Sequence, residues 1–182
     1  MSQDIANSFS PVAGEQSKVL ILGTMPGQAS LQAAQYYAHP RNAFWPILLS
    51  VINRKPVSAT QSHQLEYRQR IQQACSAGYA LWDVLAQCHR PGSLDSKIQR
   101  ASEIPNPVQT WLSDNPTVTR VCFNGKTAAA LFKRHIEKKL SQDLLDRPIE
   151  FFTLPSTSPA MASLNLEQKY QAWHSALTIN DA

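Results

Sequence analysis

The sequence predicts an α/β fold, a three-layer α/β/α sandwich around a mostly parallel central sheet. Short apolar runs of strand length alternate with segments in which apolar residues recur at helical spacing. The predicted strands at residues 19–22, 118–123 and 149–154 each run into a loop that contains Gly or Pro. Strands that alternate with helices favour parallel pairing, with helices covering both faces of the sheet. We therefore expect these three loops to meet at one edge of the sheet, where open α/β folds bind ligands.

The elements are predicted in chain order from their apolar spacing and their flanking residues. Residues 1–17 are polar and unpatterned, which predicts a flexible N-terminal arm before a single domain over residues 18–182. From residue 44 to 52 apolar residues recur at helical spacing, and Pro46 is tolerable because it falls in the first turn. Residues 79–85 fit a strand that runs into a short helix, although their period alone does not decide it. Further helices are predicted at residues 65–75, at 97–101 after a cap at Asp95, and at 108–112, 126–140 and 165–177.

Composition favours a soluble intracellular protein. A chain of 182 residues fits one domain that buries about 70% of its unfolded surface. The formal net charge of +4 and the pI of about 9.1 permit a nucleic-acid partner without demonstrating one. Cys75, Cys88 and Cys122 lack the spacing of a zinc site or a disulfide framework, which suits a reducing compartment. With no membrane-length apolar run and a polar start unlike a signal peptide, the sequence predicts a protein of the bacterial cytosol or nucleoid that contacts no membrane.

Two neighbouring motifs carry most of the chemistry. Four apolar residues at 19–22 are stopped by Gly-Thr-Met-Pro-Gly at 23–27, which predicts a buried strand that breaks into a tight loop. Nine residues later, Tyr-Ala-His-Pro-Arg-Asn-Ala-Phe-Trp at 37–45 brings aromatic rings, an imidazole, a guanidinium and a carboxamide into one short segment. Such a cluster suits a flat, polar-edged ligand that is attached to phosphate.

At these residues the chain resembles the uracil-DNA glycosylase superfamily, most closely its branch of hypoxanthine (deoxyinosine) DNA glycosylases. The mismatch-specific uracil glycosylase branch carries Gly-x-Asn-Pro-Gly followed by Phe-Ala-His-Pro-x-Asn-x-Phe-Trp, which residues 23–27 and 37–45 match closely. Leu-Pro-Ser-Thr-Ser-Pro-Ala at 154–160 resembles the second motif of the hypoxanthine branch, a loop that presses into the DNA minor groove. The resemblance covers residues 18–176 and implies the same α/β/α fold.

The resemblance assigns catalysis to Asn42. Where the mismatch-specific branch has a water-activating asparagine, this chain has Met25, whose thioether cannot accept a proton or hold a water. The hypoxanthine branch shows the same loss and relies on the asparagine of its Pro-Arg-Asn triplet. A carboxamide oxygen can orient water against an oxocarbenium-like sugar without adding charge beside the phosphates. Asn42 also fits a helix N-cap, which can coexist with catalysis, and the sequence does not separate water positioning from direct base contact.

Further residues are expected to bind the base. Tyr37 is aligned with the aromatic residue on which the superfamily stacks a flipped base. Backbone N–H groups of the 23–27 loop are suited to bind the oxygen of the departing base, and Asn124 carries donors and an acceptor that suit a base edge. The predicted base-binding residues are Gly23, Thr24, Met25, Pro26, Gly27, Tyr37 and Asn124.

DNA contacts are expected from a hydroxyl-rich loop between two prolines, because small hydroxyls and backbone N–H groups commonly bind phosphates. Met161 or a neighbour is the predicted wedge that fills the vacated base stack. Asp83 and Asp95 are interpreted as structural because neither has a visible partner for acid–base work. The predicted DNA-binding residues are His39, Arg41, Pro155, Ser156, Thr157 and Ser158.

The expected function is that of a monofunctional DNA glycosylase that removes a deaminated base, hypoxanthine before uracil. No lysine lies in the matched motifs, so strand cleavage is not expected, and no metal or cofactor is implied. The partner is DNA with a deaminated base, and the protein is expected to act as a monomer. Three alternatives stay open: a G/U mismatch-specific uracil-DNA glycosylase, a non-catalytic damaged-DNA-binding protein, and a small-molecule nucleoside hydrolase.

Overall fold

A computed structural model describes residues 4–60 and 64–179 of the chain. Its regular elements alternate between strands and helices, as the sequence predicts. In chain order they are β1 (Ile5–Asn7), β2 (Val19–Gly23), α1 (Gln28–Ala33), α2 (Phe44–Asn53), α3 (Tyr67–Ser76), β3 (Tyr79–Asp83), β4 (Leu85–His89), β5 (Ile104–Pro105), α4 (Val108–Asp114), β6 (Arg120–Asn124), α5 (Lys126–His135), α6 (Gln142–Asp146), β7 (Glu150–Leu154) and α7 (Leu166–Leu177).

The central sheet has four parallel strands in the order β3-β2-β6-β7. Because all four strands run in one direction, their carboxyl ends form a single edge. Gly23 pairs with Asp83 at that edge, and Asn124 pairs with Leu154. The loops that follow β2, β6 and β7 leave the sheet there, which confirms the predicted meeting of the three loops.

The strands alternate their side chains between two hydrophobic layers. Val19 and Ile21 pack on one face with apolar residues of α2, α3 and α7. Leu20 and Leu22 pack on the other face with residues of α4, α5 and α6. All four side chains are buried, as expected for a strand covered on both faces. The predicted sandwich of helices around a parallel sheet is confirmed.

The N-terminal segment differs from the flexible arm predicted for residues 1–17. Residues 1–3 lie outside the described part of the chain, but β1 pairs antiparallel with β4, and Val12 forms a bridge with Leu81. Ala6 is buried between exposed neighbours. A strand of three residues is too short to leave a periodic signal in the sequence. The segment thereby joins β4 and β5 in a second, antiparallel sheet.

Two local predictions are corrected around the middle of the chain. Residues 79–85 do not enter a helix; β3 ends at Asp83, and the chain continues directly into β4. Asp95 does not cap a helix over residues 97–101, because only short 3₁₀ turns form there and Leu94 is the capping residue, without a side-chain bond. The Asp95 carboxylate instead lies 3.6 Å from the buried guanidinium of Arg90. Within residues 4–60 and 64–179, no helix combines the length and apolarity needed to cross a membrane.

Candidate active site

A cavity of about 1030 Å³ opens at the carboxyl edge of the central sheet. Its walls come from the loops after β2, β6 and β7 and from the segment between α1 and α2. Every predicted base-binding residue lines it, as do Asn42, His39 and the 155–158 loop. Arg41 is exposed and lies outside the lining, and Met161 lies within it. The chain therefore gathers nearly all of the predicted residues around one space.

Tyr37 forms one wall of the cavity. Its ring stacks on the buried ring of Phe44, with centroids 3.7 Å apart and planes 21° from parallel. The backbone of Tyr37 is left-handed, with φ of 56°, an arrangement that is uncommon for a bulky residue. Its hydroxyl is buried without a hydrogen bond of normal geometry. Burial, and then Asp83, raise the pKa of this hydroxyl well above its ordinary value, against a smaller opposing effect of Asn124.

Asn42 reaches the cavity from the turn that precedes α2. Its N–H donates to the His39 carbonyl at 2.8 Å, and its Oδ1 accepts the Phe44 N–H at 3.0 Å. Ala43 occupies the N-cap position, so Asn42 supports the helix start from one residue earlier. A carboxamide oxygen has a second lone pair, and neither Nδ2 hydrogen is used by a residue in the described ranges 4–60 and 64–179. The side chain is thus fixed at the helix while it keeps hydrogen-bonding capacity for a ligand or a water.

Arg90 fixes the backbone of the loop after β2 by hydrogen bonds. This guanidinium is buried and donates to the carbonyl oxygens of Met25 and Pro26. Among the described residues, neither the Met25 nor the Gly27 N–H donates a hydrogen bond, whereas the Gln28 N–H donates to Ser93 Oγ at 2.8 Å. The loop therefore carries free N–H donors beside the cavity, which suits an oxygen that gains negative charge.

Asn124 connects the end of β6 to the loop after β7. Its Nδ2 donates to Thr157 Oγ1 at 2.8 Å, and its Oδ1 accepts the Thr157 N–H at 2.9 Å. Thr157 is 1% exposed, and its carbonyl accepts the Ala43 N–H at 3.0 Å. The Asn124 amide, which the sequence assigns to reading the base, therefore also holds the two chain segments together. Its bonds to the residues that the structure describes leave one Nδ2 hydrogen and one Oδ1 lone pair unused.

The rest of the 155–158 loop is positioned by α7 and by Gly125, the residue before α5. Trp173 Nε1 donates to the Pro155 carbonyl at 2.8 Å, and Nζ of the buried Lys169 donates to the Ser158 carbonyl at 3.2 Å. Gly125, with φ of 100°, lets Ser156 approach, since a Cβ at residue 125 would lie 3.2 Å from that of Ser156. The Ser156 hydroxyl accepts the Ser158 N–H at 3.2 Å. The Ser158 hydroxyl accepts the Ala160 N–H at 3.2 Å. Within the described part of the chain, each serine hydroxyl therefore keeps its hydrogen to donate into the cavity.

Sequence analysis missed several residues of the cavity wall. Asp83 and Asp95, interpreted there as structural, both line the cavity, as do Ser93, Leu94 and Lys126. Asp83 is 3% exposed, and burial raises its pKa to about 7. Its position directly after the apolar run 79–82 was a usable signal, because that run pairs with β2. In the described part of the chain, no cluster of three or more His, Cys, Asp or Glu side chains is arranged to hold a metal ion.

The chain has relatives among known proteins. The family model of the uracil DNA glycosylase superfamily matches residues 11–178. The chain is similar to the hypoxanthine DNA glycosylase of Methanosarcina barkeri strain Fusaro, with 36% identity over 118 residues, 65% of this chain and 70% of the relative. It is 31% identical to the hypoxanthine DNA glycosylase of Methanosarcina acetivorans over 124 residues, 68% of this chain and 73% of the relative.

The fold has a close match among solved structures. The solution NMR structure of a Methanosarcina acetivorans protein, provisionally described as a uracil DNA glycosylase, superposes with a TM-score of 0.75. The match covers 96% of this chain and 97% of that one, at 26% identity. Since the family model spans nearly the whole described chain and the fold agrees along its length, the protein belongs to the uracil DNA glycosylase superfamily.

Proposed function

We propose that this protein is a monofunctional DNA glycosylase that takes a deaminated base, hypoxanthine before uracil, out of DNA and hydrolyses its N-glycosidic bond. One observation carries the proposal. The Tyr37 ring, the Asn42 carboxamide and the hydroxyl-rich 155–158 loop surround a single cavity at the carboxyl edge of the sheet. Such an enzyme needs three parts: a surface on which the base stacks, a group that orients the water, and a loop that binds the DNA backbone.

The cavity suits a flipped base. Tyr37 rests on Phe44 on one side, so its ring is rigid, and stacking on such a ring is worth about 1–3 kcal/mol per base. The free N–H groups of Met25 and Gly27 supply donors for a carbonyl oxygen on the base. This wall is completed by Gly23, Thr24 and Pro26. The unused Nδ2 hydrogen and Oδ1 lone pair of Asn124 supply polar contacts to the base edge.

Asn42 is the proposed catalytic residue. Departure of the base leaves positive charge on the sugar, so the incoming water needs orientation more than it needs a strong base. The bond from the Phe44 N–H fixes the Asn42 oxygen at the cavity wall before substrate arrives, which is the kind of preorganisation that lowers a barrier. Met25 is 7% exposed and packs in the apolar core, a role that suits its thioether.

The mouth of the cavity suits DNA. Ser156, Thr157, Ser158 and Pro155 form the rigid loop proposed to contact phosphates and enter the minor groove. His39 accepts the Arg41 N–H at Nδ1, so a neutral imidazole carries its proton on Nε2 and can donate from there. Lys126 is an exposed cation in the cavity lining, and Arg41 is an exposed cation one residue before Asn42. Met161, also in the lining, is the proposed apolar wedge.

Hypoxanthine is favoured for two reasons. Both curated relatives are named hypoxanthine DNA glycosylase, and Met25 stands where the mismatch-specific uracil branch has its asparagine. A G/U-specific uracil glycosylase is the second candidate. A non-catalytic damage-binding protein and a nucleoside hydrolase are alternatives of other classes. We expect a monomer that acts on DNA in the bacterial cytosol or nucleoid.

A gel assay tests the proposal. Purified protein is incubated with duplexes that carry hypoxanthine, uracil or xanthine, with and without EDTA, and abasic sites are then cleaved with alkali. The expected result is alkali-dependent cleavage at hypoxanthine that EDTA does not reduce. Damage binding without release of any base would contradict the proposal, and release from uracil alone would favour the mismatch-specific candidate.

Two further arms address the remaining alternatives. Borohydride trapping should capture no protein–DNA adduct, because the proposed hydrolysis forms no Schiff base on Lys126 or another lysine. Free deoxyinosine should be a very poor substrate, because it lacks the flanking phosphates whose binding energy orients the sugar. Similar kcat/KM values for free nucleoside and duplex DNA would favour the nucleoside hydrolase.

A further inference from the structure

We propose that the Asp83 carboxyl contacts the flipped base and gives a proton to N7 of a departing purine. The proposal rests on the proposed function and adds a group that would favour purines over uracil at the same site. Uracil is a single six-membered ring and has no atom equivalent to N7.

Asp83 lines the cavity beside Tyr37, the proposed stacking surface for the base. It is the last residue of β3 and pairs with Gly23, the last residue of β2. Its Oδ1 would be 2.5 Å from a Cβ at residue 23, and the Tyr37 hydroxyl would be 3.3 Å from the same point. The absence of a side chain at Gly23 therefore lets the carboxyl and the Tyr37 hydroxyl converge on one small region of the cavity wall.

The polar atoms in this region are only partly satisfied. Asp83 Oδ2 accepts the Ser8 hydroxyl at 2.7 Å, whereas no hydrogen bond within the described chain engages Oδ1. The hydroxyls of Tyr37 and Thr24 are buried without hydrogen bonds of normal geometry. A buried polar group without a partner costs about 1–3 kcal/mol. Two such hydroxyls beside the free Asp83 Oδ1, all on one cavity, indicate that a polar ligand completes them.

Burial of Asp83 favours its protonated form near neutral pH. Burial is the main cause that raises its pKa to about 7, and Asp95 adds to it; the Ser8 hydrogen bond and Arg90 oppose the increase. Arg90 is largely engaged by the carbonyls of the β2 loop and by Asp95. The Tyr36 and Tyr37 hydroxyls, which face Asp83 from the α1–α2 segment, have their own pKa values raised by burial and by this carboxyl. A proton is therefore available on Asp83 at neutral pH.

The proposed step balances as a hydrolysis. The C1′–N9 bond breaks and its electron pair stays with the base, while the carboxyl proton moves to N7, so that neutral hypoxanthine leaves. The oxygen of the water oriented by Asn42 bonds to C1′. The proton that this water loses passes to solvent, and the Asp83 carboxylate regains a proton from solvent before the next turnover. General acid catalysis of this kind typically contributes about 10²–10⁴-fold.

The test compares the parent protein and the variant Asp83→Asn on two substrates, and measures the single-turnover rate of base release for each combination. The substrates are duplexes with deoxyinosine or with 7-deazadeoxyinosine, in which a C–H group replaces N7. Asp83→Asn keeps the size of the side chain and a hydrogen-bond donor but has no acidic proton. We expect this change to slow release of hypoxanthine by about 100-fold, and to have little effect on the slow release of the deaza base.

The dependence of the release rate on pH separates proton donation by Asp83 from a purely structural role, because a structural role would not change the position of the inflection. Release of hypoxanthine by the parent protein should fall as the pH rises through about 7, and the Asn variant should lack this inflection. Ser8→Ala removes the donor to Oδ2, which stabilises the carboxylate, so it should move the inflection to higher pH.

Some outcomes would overturn the proposal. Equal losses on both substrates, or a folded Asn variant with the parent rate and pH profile, would show that Asp83 gives no proton to N7 while the glycosylase function stands. Failure of the parent protein to release hypoxanthine would overturn the proposed function as well. Circular dichroism and thermal unfolding of each variant verify that the proteins compared are folded.

Discussion

Asn124 and Thr157 hold each other through two hydrogen bonds, which join the end of β6 to the loop after β7 across 33 residues of sequence. One bond uses the threonine hydroxyl and the other its backbone N–H. Together they fix which side of the Asn124 amide is nitrogen and which is oxygen. A base that enters the cavity therefore meets donors and acceptors whose positions are already set.

Replacing the hydroxyl tests this clamp. Thr157→Val removes the acceptor for Asn124 Nδ2 and leaves a buried donor unpaired, which should destabilise the protein by about 1–3 kcal/mol. The rate of base release should fall as well, because the amide can then rotate. Urea denaturation and single-turnover assays measure the two effects. Thr110→Val, on an exposed position of α4, should change neither.

Asn42 and Met25 make a second pair of variants. Asn42→Ala should lower the single-turnover rate by about 100-fold or more while DNA affinity changes little. Loss of the acceptor for the Phe44 N–H should cost only about 1 kcal/mol, and thermal unfolding checks that it does. Met25→Ala should affect the rate much less, and Met25→Leu should retain both rate and stability because it preserves apolar volume. Equal and mild effects of the two alanine changes would mean that Asn42 is not the catalytic residue.

The phosphate contacts predict two separable effects on DNA binding. Changing Ser156 and Ser158 to Ala should weaken binding by at least about tenfold, with no change in the salt dependence, because no charge is lost. Lys126→Gln should instead lower the slope of log affinity against log salt by about one. Fluorescence anisotropy at several salt concentrations measures both. Ser175→Ala, on the exposed side of α7, is the control, and a similar weakening there would contradict the contact.

Asp83 should also make stability depend on pH. Its pKa of about 7 in the folded protein lies above the value of about 4 for an unfolded chain. Its stabilising contribution is therefore complete below about pH 4, falls as the pH rises toward 7, and changes no further above that. Between pH 4.5 and 7.5 the parent protein should lose a few kcal/mol more than Asp83→Asn, at about 1.4 kcal/mol per pKa unit. Denaturant titrations measure this difference, and Asp114→Asn should behave like the parent protein.

The sheet and most of the cavity wall could be predicted from the sequence because they depend on local patterns. The apolar run at residues 19–22 is followed by Gly23 in the sequence, and strand β2 ends at that glycine in the structure. Parallel pairing then brings those ends to one edge, so Asn42 and Thr157 could be expected near each other although more than a hundred residues separate them.

The missed features depend on contacts between distant segments. Nothing local in the sequence indicates that the Ser8 hydroxyl reaches Asp83 or that Arg90 binds the Met25 carbonyl. The capping role expected for Asp95 was wrong because a buried guanidinium competes for its carboxylate, and a charged partner outweighs a neutral backbone donor. Short elements such as β1 were missed because they carry too few residues for a period to be read.

The position of β2 inside the sheet has a consequence for how the chain folds during synthesis. Its two neighbours are β3 and β6, and the register that joins Val19 to Arg120 closes a loop of about a hundred residues, a separation typical of slow folding. Until β6 has been synthesised, one edge of the apolar strand β2 has no partner, and the cavity lacks its wall from the 155–158 loop. A chain stopped before residue 120 would therefore expose an unpaired, aggregation-prone strand edge and have no binding site.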